Sequence, residues 1–361
     1  MMPQPKQATT RLSQPIGLPG ACQAAQSWLA HYAPTNLVVF RALQLGDMLC
    51  AVPALRAVRA ALPDTKISLV GLPWAAQFAA RFAHYIDEFV AFPGHPAFPE
   101  QAVQHDRLPD FYAAMRARRF DIALQLHGSG EQSNAVTRAF GARAVAGYGE
   151  QPAGDMDRFH SYPHSGPEHA RLLDLVRQLG APECGEHLEF PITDADESDL
   201  AASGLADGLA PHAYVCIHPG ARSRDKCWHP ARFAQVADQI ATEFDVKIVL
   251  TGSLDEAPLT AAVASRMRFK ALDAAAPWSI GAMAALMSRA RLLVSNDTGV
   301  SHIAAGLKLP SVVIFSQADM GRWAPADKQR HRCLWDPGGD RVQEVIVHAR
   351  ALLCAAHLGG G

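Results

Sequence analysis

Short apolar runs alternate along this chain with longer segments whose apolar residues recur at helical spacing. In the N-terminal part of the chain the apolar runs predict strands, because each run is flanked by turn residues. The segments between the runs predict helices. Such alternation is typical of a parallel sheet covered on both faces. The predicted strands are 37–40, 66–70, 88–92, 121–126 and 144–147, and the predicted helices are 47–61, 74–82, 111–119, 132–140 and 168–179.

The same rhythm restarts after a segment rich in proline, glycine and acidic residues, 181–211, which we interpret as a linker with a strand-like stretch at 188–190. An earlier stretch of similar composition, 149–167, predicts a loop. The strands of the second unit are predicted at 214–218, 247–250, 269–272, 292–295 and 311–315, and its helices at 230–244, 256–266, 280–288, 300–307 and 342–356.

Two α/β units of similar size predict two Rossmann-like domains that face each other across a cleft. We expect an N-terminal extension at 1–34 with a short helix at 21–31, then domains at 35–200 and 210–335, and a C-terminal helix within 336–361. A length of 361 residues is ample for two domains, and a hydrophobic content of 49% lets each of them bury a core.

The net charge of −2 gives the chain no general basic field, so we do not expect nucleic acid as its partner. Its seven cysteines form no CxxC pair, which favours free thiols and predicts neither a metal site nor a cofactor. No apolar run approaches the ~20 residues that span a bilayer, and residues 1–20 lack the apolar core of a signal peptide. We expect a cytoplasmic protein, with peripheral contact at the inner membrane left open.

The segment 41–48 joins the first predicted strand to the first predicted helix, a usual place for a phosphate-binding loop. It contains no GxGxxG pattern; a lone glycine, Gly46, precedes a carboxylate, Asp47. Asp47 can serve simply as the N-cap of the helix. It can instead be a general base exposed at the edge of the cleft.

A second loop, 218–230, follows the first predicted strand of the second unit. It places Arg222, Arg224 and Lys226 within five residues, just before a helix. Such a loop suits phosphate, because lysine supplies a point charge and arginine a bidentate donor. A solvated basic loop is the alternative, although the position at the carboxyl end of a strand favours binding.

A third segment, 295–302, places Asp297, Thr298 and Gly299 at the start of a predicted helix. Free N–H groups at a helix start form an anion site, and glycine lets a ligand approach closely. Asp297 would repel a phosphate, so we expect it to orient the loop or to bind a sugar hydroxyl. A helix cap without a ligand explains the same residues equally well, and His302 is an ordinary residue one turn into such a helix.

Two further residues are weaker candidates for the cleft. Glu256 follows a predicted strand and could bind a ribose, although an acidic helix N-terminus explains it as well. His127 follows the strand 121–126 and could line the acceptor side, or it could belong to a flexible turn.

Taken together, these loops resemble the heptosyltransferases of glycosyltransferase family 9. The resemblance runs from about residue 37 to residue 325, with its elements in the family's order and spacing. The residues that carry it are Gly46-Asp47 with Pro53-Ala54-Leu55, His218-Pro219-Gly220-Ala221 with Lys226 and Trp228, and Asn296-Asp297-Thr298-Gly299 with His302 and Ala304-Ala305.

The resemblance implies a GT-B fold with an acceptor-binding first domain, a nucleotide-sugar-binding second domain and a last helix that packs back toward the first domain. It also implies inverting, metal-independent transfer of heptose from ADP-heptose onto the core of lipopolysaccharide. Asp47 would be the base and Lys226 a diphosphate cation. Thr298 and Gly299 would cradle the diphosphate, and Glu256 would bind the ribose.

Other functions fit the same two-domain pattern. A nucleotide-sugar epimerase or hydrolase would consume the donor without an acceptor, and a non-catalytic nucleotide-sugar binding module would turn nothing over. A NAD-dependent dehydrogenase is disfavoured, because neither domain opens with GxGxxG. Donor turnover measured with and without an acceptor separates these possibilities.

Overall fold

The structure is a computed structural model that describes residues 27–150 and 155–358. We call residues 27–203 the first half and residues 214–358 the second half. The first described helix, α1 (Trp28–Tyr32), begins after Ser27, whose hydroxyl accepts a hydrogen bond from Ala30 N. The beginning of the predicted helix 21–31 lies outside the described residues.

The strands of the first sheet are β1 (Asn36–Phe40), β2 (Lys66–Gly71), β3 (Glu88–Ala91), β4 (Ile122–Gln125), β5 (Ala144–Tyr148) and β6 (Arg158–His160). All pairs are parallel, and the spatial order is β3-β2-β1-β4-β5-β6. The apolar run of β1 is buried on both faces, as is usual for a central parallel strand covered by helices.

The strands of the second sheet are β7 (Tyr214–His218), β8 (Lys247–Gly252), β9 (Leu272–Ala275), β10 (Leu292–Asn296), β11 (Ser311–Phe315) and β12 (His331–Trp335). This sheet is also parallel, with the order β12-β11-β10-β7-β8-β9, so both sheets share one winding pattern. The prediction of two parallel α/β units is confirmed.

The direction of winding reverses between β1 and β4 in the first sheet and between β7 and β10 in the second. The carboxyl ends of these four strands therefore flank the crevices in which open α/β sheets bind ligands. The loops that leave them begin at residues 41, 126, 219 and 297. Three of these loops are the segments in which the sequence predicts the site.

The helices of the first half are α2 (Leu45–Cys50), α3 (Val52–Ala61), α4 (Ala76–Arg81), α5 (Leu108–Ala117), α6 (Ser133–Arg138), α7 (Glu168–Gln178) and α8 (Asp194–Ser203). Those of the second half are α9 (Pro230–Phe244), α10 (Ala257–Ala264), α11 (Ile280–Ser288), α12 (Gly299–Gly306), α13 (Met320–Trp323) and α14 (Val342–Leu358).

The segment 47–61, predicted as one helix, forms two helices, α2 and α3, that meet at Ala51. Pro53 explains the break, because it has no N–H to donate to the carbonyl of Leu49 and is favoured in the first turn of a new helix. Separated from α3, the short helix α2 packs against α12 of the second half.

The sequence analysis does not predict two of the edge strands. β6 lies inside the predicted loop 149–167, and β12 lies between the last predicted strand and the final helix. Both are short and contain polar residues such as Arg158 and Arg332, so neither shows the apolar run of a central strand.

The linker at 181–211 contains helix α8, and no strand forms at 188–190. Thr193 caps α8, since its hydroxyl accepts from Asp196 N while the Asp196 carboxylate accepts from Thr193 N. Asp196 also pairs with Arg81 of α4 at 2.5 Å, and α8 packs against α11. Helix α8, at the end of the first half, therefore connects α4 of that half with α11 of the second.

One apolar core joins the inner faces of the two sheets. Leu124 of β4 and Leu293 of β10 belong to the same buried cluster. The outer faces have separate clusters, with Phe140 in that of the first half and Phe233 in that of the second. The two halves thus share one buried core across their junction.

The last helix, α14, corrects an expectation drawn from the family resemblance. It packs on α9, β10 and β11 of the second half rather than back toward the first. Its buried residues Val345, Ala349 and Leu353 recur at helical spacing and join the outer cluster of the second half. Arg350 also pairs with Glu243 of α9 at 2.6 Å.

We predict that Leu353→Ala lowers the free energy of unfolding by ~2–5 kcal/mol, because it opens a cavity in the core of the second half. Leu353 is 0% exposed, whereas Val347 on the same helix is 54% exposed. Val347→Ala is therefore the matched control and should change stability by less than ~0.5 kcal/mol. Urea denaturation checks both, and equal effects would contradict the packing of α14 described here.

Candidate active site

A pocket of about 560 Å³ lies between the two switch points and receives residues from both halves. The first half contributes the start of α2, and the second contributes the loops that follow β7, β10 and β11. Most of the residues predicted from the three loops meet here. The lining residues are Gln44, Gly46, Asp47, Arg222, Ser223, Lys226, Asp297, Thr298, Gly299, His302 and Trp323.

Asp47 lies in the first turn of α2, whose N-cap position is occupied by Gln44. The interpretation of Asp47 as the N-cap is therefore wrong. Within the described residues the Asp47 carboxylate makes no hydrogen bond or ion pair. Its main-chain carbonyl, in contrast, accepts two hydrogen bonds from Arg41, from Nε at 2.9 Å and from Nη2 at 2.8 Å. The backbone is held while the carboxylate stays available to a ligand.

Gly46 brings the two halves into close contact. A Cβ atom at this position would lie 2.8 Å from Cδ2 of His302, which is on α12 of the other half. Only a residue without a side chain lets α2 and α12 approach this closely. The structure therefore places Gly46 at the junction that forms one wall of the pocket.

The loop after β7 is tied to the loop after β10 by Asn296, which is fully buried. Its Oδ1 accepts from Trp228 N at 3.0 Å, and its Nδ2 donates to the carbonyls of Pro219 at 2.8 Å and Gly220 at 3.3 Å. Between these anchors, Lys226 Nζ lies 3.1 Å from Oδ2 of Asp297. Asp297 thus holds the Lys226 ammonium at the pocket wall.

Helix α12 begins at Gly299, with Thr298 at its N-cap position. The Thr298 side chain makes no capping hydrogen bond, so the interpretation of a simple cap is not supported. The N–H groups of the first turn of a helix have no partners within the helix and carry the positive end of its dipole. Because Thr298 and Gly299 line the pocket, this end of α12 offers an anion site.

A second pocket of about 330 Å³ adjoins the first and shares Gly46, Arg222 and Thr298 with it. Glu256 lines this second pocket. Its Oε2 accepts from Ser253 N at 2.8 Å and from the Ser253 hydroxyl at 3.0 Å, the capping interaction expected at a helix start. The same carboxylate therefore both caps a helix and lines a pocket.

The other oxygen of Glu256, Oε1, approaches the strand end of β7. A Cβ at Gly220 would lie 2.0 Å from it, so glycine is needed here. Oε1 also lies 3.9 Å from Nε2 of His218, whose Nδ1 contacts the Thr251 hydroxyl at 3.2 Å. Burial lowers the pKa of His218, which favours a neutral imidazole beside the carboxylate.

Two of the predicted residues lie elsewhere. Arg224 donates from Nη2 to the carbonyl of Asp255 at 3.1 Å, on the exposed rim of the loop. His127 is buried, stacks on Phe40 and accepts a hydrogen bond from Ala42 N at 3.1 Å. Burial and the nearby Arg41 lower the pKa of His127 to about 3, so it is neutral at physiological pH. A binding role for either residue stays a prediction.

His302 lies at the junction of the halves and is only 5% exposed. Its Nδ1 is 3.8 Å from the Cys50 thiol of α2, and its ring meets that of Trp323 edge-on at 6.3 Å. Burial lowers the pKa of His302, so the residue acts as a neutral hydrogen-bonding group in the pocket wall.

Sequence reasoning misses several residues that build the site. Arg41, Glu168, Arg322 and Trp323 carry no motif, and Asn296 gives no sign that it ties two loops together. Arg41 directly follows an apolar strand, but no sequence pattern tells a fully buried arginine from an exposed one. These residues act through contacts between distant segments, which only the fold reveals.

Within the described residues, no three His, Cys, Asp or Glu side chains are arranged to hold a metal ion. The described helices also include none that is long and apolar enough to cross a membrane.

Comparison with known proteins identifies the family. A family model described as glycosyltransferase family 9 (heptosyltransferase) matches residues 110–342. The chain belongs to this family. It is accordingly a glycosyltransferase, and the predicted resemblance to this family is confirmed.

Curated relatives are similar over most of the chain. Lipopolysaccharide heptosyltransferase 3 of Escherichia coli K12 is 24% identical over 292 residues, which cover 78% of this chain and 82% of the relative. Lipopolysaccharide heptosyltransferase 1 of Pseudomonas aeruginosa is 23% identical over 306 residues, which cover 79% and 80%.

Solved structures show the same fold. A family 9 glycosyl transferase from Veillonella parvula superposes with a TM-score of 0.75 at 20% identity, covering 89% of this chain and 98% of the other. The E. coli ADP-heptose LPS heptosyltransferase II gives a TM-score of 0.70 at 18% identity, covering 90% and 99%. The GT-B arrangement predicted for this family 9 chain is therefore confirmed.

We predict that Asn296→Ala lowers the free energy of unfolding by ~1–3 kcal/mol, because it leaves the Trp228 N–H and the Pro219 carbonyl without their buried partner. Loss of this tie should also weaken nucleotide binding, since it frees the loop that carries Lys226. Thermal unfolding and calorimetric titration with ADP check the two effects. Gln235→Ala, which removes an exposed amide from α9, is the control and should change neither.

Proposed function

We propose that this family 9 glycosyltransferase moves a heptose from ADP-heptose onto a lipopolysaccharide-core or related glycan, with inversion and without a metal ion. One observation carries the proposal: the unengaged Asp47 carboxylate shares a pocket with Lys226, Arg222 and the N-terminus of α12. A base and an anion site thus line the same pocket from opposite halves. The relatives described above are lipopolysaccharide heptosyltransferases, which supports the choice of sugar and acceptor.

The proposed reaction is a single in-line displacement. Asp47 takes the proton of an acceptor hydroxyl while that oxygen forms a bond to the anomeric carbon on the face opposite the diphosphate. The bond from the anomeric carbon to the diphosphate oxygen breaks, and its electron pair leaves with ADP. Attack from the opposite face inverts the anomeric configuration, and general-base assistance of this kind contributes ~10²–10⁴-fold to the rate.

The leaving diphosphate needs its developing negative charge stabilised. Lys226 and Arg222 supply positive charge, and Thr298 and Gly299 supply a hydroxyl and N–H groups at the positive end of α12. Asp297 lies 3.1 Å from Lys226 and keeps that ammonium in place. In this proposal Asp297 acts by orienting Lys226 and by accepting from a sugar hydroxyl.

The adjoining pocket suits the nucleoside of the donor. Glu256 offers a carboxylate oxygen for ribose hydroxyls, and Trp278 and Met283 offer apolar surface for a base. Both pockets border the second half, so we propose residues 210–335 as the nucleotide-sugar domain. Residues 35–200, which carry Asp47, then form the acceptor domain.

The proposed acceptor is a lipid-linked glycan, which is held at a membrane, whereas the donor is a water-soluble nucleotide sugar. We therefore propose that the enzyme works in the cytoplasm and contacts the inner membrane peripherally when it meets its acceptor. Neither a cofactor nor a nucleic acid enters this reaction.

The decisive experiment is calorimetric titration with ADP-heptose and with other ADP-, UDP- and GDP-sugars, followed by turnover with truncated lipopolysaccharide cores. ADP-heptose binding with acceptor-dependent release of ADP supports the proposal. Donor consumption without an acceptor would instead indicate an epimerase or hydrolase, and binding without turnover would indicate a binding module. Preference for a UDP- or GDP-sugar would contradict the assignment of ADP-heptose as the donor.

We predict that Asp47→Asn lowers kcat by ~10²–10⁴-fold while donor affinity stays within about threefold, because the carboxylate acts on the acceptor proton. Lys226→Ala should weaken donor binding as well as turnover, since it leaves Asp297 uncompensated where the diphosphate would lie. Steady-state kinetics and titration with ADP separate the two patterns. Near-normal turnover of Asp47→Asn would show that another group is the base.

A further inference from the structure

Arg41 fixes the start of α2, which carries Asp47. Its side chain is 0% exposed, and its guanidinium donates to the Asp47 carbonyl from Nε and Nη2. Nη1 donates to the carbonyl of Leu126, at the carboxyl end of the neighbouring strand β4. The planar fork of arginine suits such simultaneous contacts, which a lysine could not reproduce. The position of Asp47 therefore depends on where the Arg41 guanidinium lies.

Glu168 holds that guanidinium. Its Oε1 lies 3.2 Å from Arg41 Nη2, and its side chain is only 4% exposed. Glu168 is the first residue of α7, where the helix dipole also favours a carboxylate. Burial opposes its ionisation, but Arg41 and Arg322 together hold the pKa of Glu168 below its usual value. The Glu168 carboxylate is thus charged and held against the arginine that positions the start of α2.

The other oxygen of this carboxylate binds the second half. Oε2 of Glu168 accepts from Nε of Arg322, which belongs to α13, at 3.0 Å. The Arg322 guanidinium lies 4.8 Å from the ring centroid of Trp323, which lines the pocket with Asp47. A single carboxylate therefore connects the arginine that holds Asp47 to the opposite wall of the pocket.

We propose that Glu168 is a positioning residue which couples the placement of Asp47 to the contact between the two halves through Arg41 and Arg322. This inference deepens the proposed function and rests on the role of Asp47 in it. While the halves are in contact, Arg41 binds Oε1 of Glu168 and Arg322 binds Oε2. When Arg322 withdraws, Oε2 is left with Arg171, whose Nη1 lies 3.8 Å away, and Glu168 can turn from Arg41.

Through this connection, the activity of the enzyme depends on contact between its two halves. Desolvated charge pairs are strong but depend steeply on geometry, so a small displacement of Arg322 weakens the hold on Arg41. The start of α2, with Asp47, then gains freedom while the nucleotide contacts of the second half stay intact. We therefore expect the coupling to act on kcat much more than on donor binding.

The test compares Arg322→Gln, Glu168→Gln and the double variant with the wild-type chain. Arg322→Gln should lower kcat about tenfold and leave the donor KM within about threefold, as expected when an interaction that matters only in the transition state is lost. Deuterium uptake of the peptide 41–50, measured by mass spectrometry, should be faster in both single variants. Uptake of the strand 66–71 should not change.

The double variant decides whether the two residues act as one unit. In the Glu168→Gln background, Arg322→Gln should have no further effect on kcat or on uptake at 41–50. Arg322→Lys keeps a cation and should recover part of the activity. Arg341→Gln is the control expected to behave as wild type, because it removes a surface arginine whose side chain pairs, among the residues that the structure describes, with Glu344 alone.

Several outcomes would overturn the inference. Unchanged kcat and unchanged uptake in Arg322→Gln would do so, and so would independent, additive effects of the two substitutions. If Glu168→Gln fails to fold, the Arg322→Gln and Arg322→Lys pair still decides the matter. Deuterium uptake needs no transfer reaction, so a wrong donor or acceptor assignment would abolish the turnover readout and leave this one intact.

Discussion

The site of this glycosyltransferase depends on the packing of α2 of the first half against α12 of the second. Both are short helices at switch points of their sheets, and Gly46 removes the side chain that would strike His302. Because the helices touch, their first turns open onto one pocket. In the proposed reaction, a carboxylate from one half and an anion site from the other act on opposite ends of one substrate bond.

Charged side chains are buried next to this contact, and each of them needs well-placed partners. Arg41 has no exposed surface, and taking a guanidinium and a carboxylate out of water costs several kcal/mol per ion unless each is well paired. Glu168 and the carbonyls of Asp47 and Leu126 supply that pairing. Replacing any one partner leaves the others buried without a hydrogen-bond partner, and for this reason the group defines one geometry for the start of α2.

The sequence predicts the two parallel sheets because their central strands carry short apolar runs that are separated by segments of helical periodicity. It also places the three site loops correctly, since each directly follows a central strand such as β1 or β10. It misses β6 and β12, whose polar edge positions resemble loops, and the break at Pro53, where one apolar stripe continues across two helices. The family resemblance places α14 toward the first half, and the sequence offers no correction, because the apolar stripe containing Leu353 shows that the helix packs on a partner but not which one.

Within the site, sequence reasoning finds residues whose neighbours in the chain form a recognisable pattern, such as Lys226 and Thr298. It cannot find Glu168 or Arg322, because their importance comes from a meeting of segments far apart in the chain. Asn296 belongs to the same class, since an amide that ties two loops looks like any loop asparagine. Prediction from sequence stops here because local periodicity indicates burial and turn geometry but does not indicate which distant side chains pair.

The shared core and the linker helix α8 also bear on how the chain is made. The first half leaves the ribosome before the second and begins to fold as a unit. At that stage Arg41 can already pair with Glu168, but Leu200 of α8 has no α11 to cover it and the carboxylate has no Arg322. The nascent first half thus carries an incomplete surface that only its own C-terminal half completes. Halves exchanged between family members would consequently need matched α8 and α11 faces, however similar their individual sheets.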